Sequence, residues 1–112
     1  MEKEEILKID DVAQRCGQLA LYYKMNGFHC SESSIRAFSE CLNLNLPIEV
    51  IKCACAFRGG GGGLKDRCGL IESSIMVISY IYGRVNSDEP DWQANYLVRV
   101  LHERFKNEFG SI

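Results

Sequence analysis

Apolar residues recur at three- and four-residue spacings in five stretches of this chain. No segment sustains period-two alternation, and glycine, proline or capping residues punctuate the stretches. Together these observations predict an all-α protein, a small bundle of four to five helices with a glycine-rich loop between helices 3 and 4. The 112 residues have no internal repeat and no long linker, so residues 1–112 read as a single helical domain.

The first helix spans Glu5 to Asn26, with Ile6, Ile9, Val12, Ala13, Cys16, Leu19, Ala20 and Tyr23 as its apolar stripe. Asn26 and Gly27 end it. A second helix runs from about Ser31 to Leu42, with Ser31 as N-cap, Glu32 in the first turn and Ile35, Phe38, Cys41 and Leu42 facing inward. Pro47 suits the first turn of a third, shorter helix carrying Val50, Ile51, Ala54 and Phe57. Five glycines, Gly59 to Gly63, stop it.

Asp66 caps a fourth helix over Arg67 to Tyr82, with Leu70, Ile71, Ile75, Ile78 and Ile81 inside and Gly83 beyond its end. Its second half, Ile75 to Tyr82, is β-branched and aromatic enough to resemble a strand. Ser87, Asp88, Glu89 and Pro90 open a fifth helix that Phe109 and Gly110 close. Trp92, Tyr96 and Phe105 on it are expected in the core, as aromatics at helical spacing usually are.

Composition narrows the function. Apolar residues at 46% and charged residues at 25% are ordinary globular usage and argue against disorder. A net charge of -2 offers no basic surplus for nucleic acid. The longest weakly polar run, Ile75 to Tyr82, falls far short of the roughly 20 apolar residues of a membrane span. The opening Met1-Glu2-Lys3-Glu4-Glu5 is acidic where a secretory signal is basic and then apolar, so a cytoplasmic protein is expected. Six cysteines are unusual for a reducing compartment and point to metal or redox chemistry rather than a disulfide framework.

Cys30 lies just before the second helix and Cys68 in the first turn of the fourth. A helix N-terminus carries unpaired N–H groups and about half a positive charge, which favours thiolate over thiol. Two such cysteines on separate helices are what a redox pair or a metal site requires. Cys53 and Cys55, a Cys-Ala-Cys pair ahead of the glycines, are auxiliary candidates, since soft thiolates select zinc or iron–sulfur centres. Neither Cys-x-x-Cys nor the covalent haem motif occurs. Cys16 and Cys41, in mid-helix on the apolar stripe, read as packing residues.

The run Gly59, Gly60, Gly61, Gly62 and Gly63, flanked by Arg58, Lys65 and Arg67, has bare N–H groups that could hold a small anion. It matches neither a Walker loop nor, lacking its strand, a Rossmann turn. Close backbone approach around the thiols is the favoured role of these glycines. His29 and His102 read as surface histidines. Glu72, one turn after Cys68, reads as a partner of Arg67 or Arg36 or as a functional acid.

Phe28-His29-Cys30-Ser31-Glu32-Ser33, then Phe57 through the glycines to Cys68-Gly69, then Ile75 to Arg84, resemble the C_GCAxxG_C_C family of redox-active proteins. Arg104 to Ser111 is similar to the stretch before that family's C-terminal cysteines. The resemblance implies a small helical protein working through four cysteines. Cys30 and Cys68 carry over; the family's Cys-Gly-Ala-x-x-Gly stands here as Cys68-Gly69-Leu70-Ile71-Glu72-Ser73, and the two C-terminal cysteines have no counterparts up to Ile112.

The expected function is therefore that of a redox-active or metal-binding protein acting through Cys30 and Cys68, their thiolates exchanging with a disulfide or, joined by Cys53 or Cys55 according to the helical register, binding an iron–sulfur or zinc centre. A redox partner protein and a homodimer are the expected associations, with neither nucleic acid nor membrane. The alternatives are a noncatalytic helical interaction module with packing cysteines and a small anion or ligand binder using Gly59–Gly63.

Overall fold

The computed structural model describes residues 1–64 and 68–110, with backbone only for residues 58–60. Lys65, Asp66 and Arg67 lie outside the described residues, and with them the expected Asp66 cap and two of the three cations expected beside the glycines. Among the described residues the chain is all-helical, with no strand.

The first expected helix is two. α1 (Lys3–Ile6) ends before a turn, and α2 (Val12–Met25) starts afresh. The break is a capping event: the Asp11 carboxylate accepts from the Gln14 N–H at 2.9 Å. Arg15 Nη1 donates to the Ile9 carbonyl at 2.6 Å, which holds the turn. The turn lets α1 fold back, so that Ile6 is buried with Leu19, Ala37 and Cys41. Lys3 reinforces the contact, donating to the Tyr23 hydroxyl at 3.0 Å and to Glu40 at 3.2 Å, while the Tyr23 hydroxyl also donates to Glu40.

α3 (Cys30–Cys41) is the centre of the molecule rather than an amphipathic helix with one inner face. It packs against α2, the α4 segment Ile48–Lys52, the 3-10 helix Cys55–Gly60 and α5 (Gly69–Tyr82). Ser31, Ser33, Ser34, Ile35, Ala37, Ser39 and Cys41 are all buried. Small side chains make this possible, because four neighbours can approach one helix only where nothing large projects. The serines are paired: Ser34 Oγ donates to the Cys30 carbonyl at 2.7 Å, and Ser39 Oγ accepts from the Leu46 N–H at 3.0 Å.

Ser31 is not the N-cap. The helix begins one residue earlier, with His29 as N-cap and its backbone N–H donating to the Glu32 carboxylate at 3.0 Å. Ser31 instead faces the interior, where its hydroxyl serves another segment. Leu42, expected to face in, is the exposed C-cap.

A second core cluster joins Ile35, Leu46, Ala54 and Val77, across α3, the loop after it, the turn between α4 and the 3-10 helix, and α5. The strand-like Ile75–Tyr82 half is helical to Tyr82. Of its expected inner residues Ile71 is buried, but Leu70 and Ile81 are exposed. α6 (Trp92–Phe109) departs furthest from expectation, having no buried residue. Trp92 is 67% exposed and Tyr96 56%, while Phe105 is half-buried beside Phe109, with ring centroids 4.6 Å apart. The reason is position: α6 packs chiefly on α5, at the edge of the bundle, so only one side of the helix meets protein.

Candidate functional site

α3 and α5 cross with their N-terminal ends together, and each begins at a cysteine. Cys30 is the first helical residue of α3, and Cys68 is the N-cap of α5. Both thiols are free and half-buried.

The contact between the ends is tight. A Cβ placed on Gly69 would fall 2.6 Å from Cys30 Sγ, closer than real Cβ atoms come, and 3.3 Å from both the Phe57 carbonyl oxygen and Ser31 Cβ. The Cys30 sulfur thus occupies the space where a side chain on residue 69 would stand. A carbon–carbon bond of about 1.5 Å puts that sulfur within about 4 Å of the Gly69 Cα, and one further peptide step of about 3.8 Å puts the Cys68 Cα within about 8 Å of it. Two cysteines almost forty positions apart in sequence are neighbours in space.

Two buried hydroxyls fix this junction. Ser73 Oγ of α5 donates to the Ser31 carbonyl at 2.6 Å, and Ser31 Oγ of α3 donates to the Ala54 carbonyl at 2.7 Å. α5, α3 and the start of the 3-10 helix are locked at the turn that carries Cys30. Sequence reading gave Ser31 only a capping role and passed over Ser73. Their signal was faint, because a serine on an apolar helix face is informative only once a carbonyl opposite it is known.

Cys53 and Cys55 flank the buried Ala54 and are both exposed. The Cys53 thiol donates to the Glu49 carbonyl at 3.1 Å, at the end of α4. Cys55 is one residue beyond the carbonyl that holds Ser31, at the start of the 3-10 helix. Among the described residues no group of three or more His, Cys, Asp or Glu side chains is arranged to hold a metal ion. The four-thiol set of Cys30, Cys53, Cys55 and Cys68 is therefore not gathered within the chain. The physical reason is local: Ala54, the single residue between Cys53 and Cys55, is buried in the core, and its two neighbours face outward.

The glycine run is half helix and half turn. Gly59 and Gly60 end the 3-10 helix. Gly61, Gly62 and Gly63 turn with φ of 90°, 59° and 79°, a left-handed path that other residues adopt only with strain. The Gly61 N–H donates to the Phe57 carbonyl at 3.1 Å and the Gly62 N–H to the Ala56 carbonyl at 2.8 Å, so both donors close the helix behind them. A Cβ on any of these three would meet nothing within 4 Å. Here the glycines serve conformation, whereas the close approach expected of them occurs at Gly69, outside the run.

His29 is exposed, as expected. Glu72, in the first turn of α5, keeps one carboxylate oxygen away from solvent.

A family model described as Putative redox-active protein (C_GCAxxG_C_C) matches residues 28–112. No curated protein and no solved structure matches the chain.

Proposed function

Because the chain belongs to the C_GCAxxG_C_C redox-active family, we propose that Cys30 and Cys68 are its working dithiol, cycling between two thiols and one disulfide. Oxidation forms the Cys30–Cys68 S–S bond and releases two electrons and two protons. A disulfide on a partner protein accepts them as its own S–S bond opens to two thiols.

One observation carries this reading: the Cys30 sulfur is lodged against Gly69, the residue that follows Cys68. The two thiols then stand at adjoining helix ends, the proximity that a bridge between elements requires. A dithiol is favoured over a zinc or iron–sulfur centre by the donor set, since such centres take three or four ligands. Cys53 and Cys55 face solvent, and the described residues gather no third ligand. The anion-binding alternative is weakened by the engaged Gly61 and Gly62 amides. The expected homodimer belongs to the same reading and rests on the exposed Trp92 and Tyr96; sedimentation across a concentration series tests it.

The test is redox titration of the full chain in glutathione buffers, trapping thiols by alkylation and mapping linked tryptic peptides. The expected result is a Cys30–Cys68 linked peptide that rises and falls with potential and is lost in Cys68→Ser. Cys30 and Cys68 alkylated separately at every potential would leave the interaction module as the better reading.

A further inference from the structure

Gly17 sits within α2 without a backbone reason to be glycine. Its φ lies outside the left-handed region, and a Cβ built on it would meet nothing within 4 Å. Glycine in a helix interior is less stable than alanine, so the residue costs stability and gives room in return. The room is an apolar cavity of about 360 Å³ where α2, α3 and the start of α5 meet. Ala13, Gly17 and Ala20 line it from α2, Ser34 and Phe38 from α3, and Leu70 from α5. Among the described residues its lining carries no charge, and its one hydroxyl, Ser34 Oγ, is spent on the Cys30 carbonyl at 2.7 Å.

The cavity runs up to the dithiol. Cys30, Ser34 and Phe38 stand four residues apart on one face of α3, so the lining begins one turn from Cys30. On the other side Leu70 follows Gly69, against which the Cys30 sulfur lodges. The covalent steps that bound the distance to Cys68 also put that sulfur within about 8 Å of the Leu70 Cα. A cavity of about 150 Å³ already holds benzene, so this one takes a short hydrocarbon chain. With neither a charge nor a spare hydroxyl in its lining, it favours an uncharged chain and leaves the charges of glutathione unsatisfied.

We infer that this cavity seats part of the dithiol's partner: the disulfide exchanged with Cys30 and Cys68 is borne on a short uncharged hydrocarbon arm, as in a lipoyl group. The inference rests on the dithiol reading above. One cysteine thiolate attacks a sulfur of the lipoyl ring, opening the ring S–S bond, forming a mixed disulfide and freeing one arm thiolate. The other cysteine thiolate then attacks the cysteine sulfur of the mixed disulfide, closing the Cys30–Cys68 bond and freeing the second arm thiolate. Two cysteine sulfurs are oxidised, the two ring sulfurs are reduced, and the two cysteine protons end on the two arm thiols. Gly17 sets the preference by leaving the arm its space.

Two measurements on the full chain test this. Hexanamide, an uncharged arm without sulfur, is titrated while backbone amide resonances are followed by NMR. Shifts centred on Gly17, Ala20, Phe38 and Leu70 are expected in the wild type and are lost in Gly17→Leu. The chain oxidised in glutathione buffer is then reduced by dihydrolipoamide or by glutathione, the exchange run in reverse. The ratio of the dihydrolipoamide rate to the glutathione rate is expected to fall several-fold in Gly17→Leu, and likewise in Ala13→Leu should the first variant not fold. The proposal is overturned by hexanamide shifts that are absent or lie elsewhere, or by the same rate ratio in wild type and variant. A Gly17→Leu that alters only the sedimentation of the chain overturns it too, making the cavity a contact between copies. A wild type that never links Cys30 to Cys68 overturns the dithiol reading as well, whereas a link with an unaltered ratio overturns this inference alone.

Discussion

Residue 69 is a glycine because a sulfur atom already fills the place of its side chain. Alanine there must push Cys30 or the end of α5 aside, and overpacking of this kind costs about 1–3 kcal/mol. Gly69→Ala is therefore expected to lower the urea midpoint, and the double variant with Cys30→Ala to recover most of the loss. Equal losses in both backgrounds would mean that Cys30 is not the obstacle. Cys16 makes a separate prediction. Burial, then the neighbouring Cys41, push its thiol from 9.0 up to about 12, against a smaller opposing effect of Arg15. Between those values the unfolded chain has lost a proton that the folded chain retains, so stability is level below pH 9 and falls as pH rises from 9 to 12. Subtracting the profile of Cys16→Ala from that of the wild type isolates this decline; no difference between the two profiles would remove the assignment. Why glycine follows Cys68 was not legible in the sequence, because the colliding atom comes from residue 30.

At the scale of the elements, two kinds of bond decide where helices start and how they join. The α1–α2 break was legible in principle: Asp11 precedes Val12 as an N-cap should, although the unbroken apolar periodicity from Ile6 to Tyr23 conceals it. Asp11→Ala is expected to cost about 1 kcal/mol of global stability, the ordinary worth of an N-cap, and denaturant unfolding measures it. The serine relay from Ser73 through Ser31 to Ala54 was not legible. Ser73→Ala leaves the buried Ser31 carbonyl without its hydroxyl donor, at an expected cost of about 1–3 kcal/mol. Because the relay holds the turn bearing Cys30, the same variant is expected to shift the Cys30–Cys68 redox midpoint. A stability loss with an unchanged midpoint would separate the relay from the thiol pair.

For the whole molecule, the distribution of burial is uneven. α3 is enclosed by four neighbours, whereas α6 has no buried residue and rests chiefly on α5. Local opening is least costly where few apolar contacts must be broken. Backbone amides of α6 are accordingly expected to exchange with solvent deuterium well before those of α3, whose slowest amides track global unfolding. Uniform protection across both helices would show that α6 is covered in solution.

Helical content and the sites of several caps were determined by the sequence alone, and it was the sequence that singled out Cys30 and Cys68. These depend on neighbours within one or two turns, or on a family resemblance that local motifs carry. Burial was decided only by the tertiary structure. It made a serine-rich helix the centre, left the aromatic face of α6 outside, moved the close backbone approach from the glycine run to Gly69, and packed Cys16 against the cluster that holds Cys41. Periodicity records that a helix has an apolar side but not how many neighbours will cover it, and contact between distant residues exists only once the helices have packed.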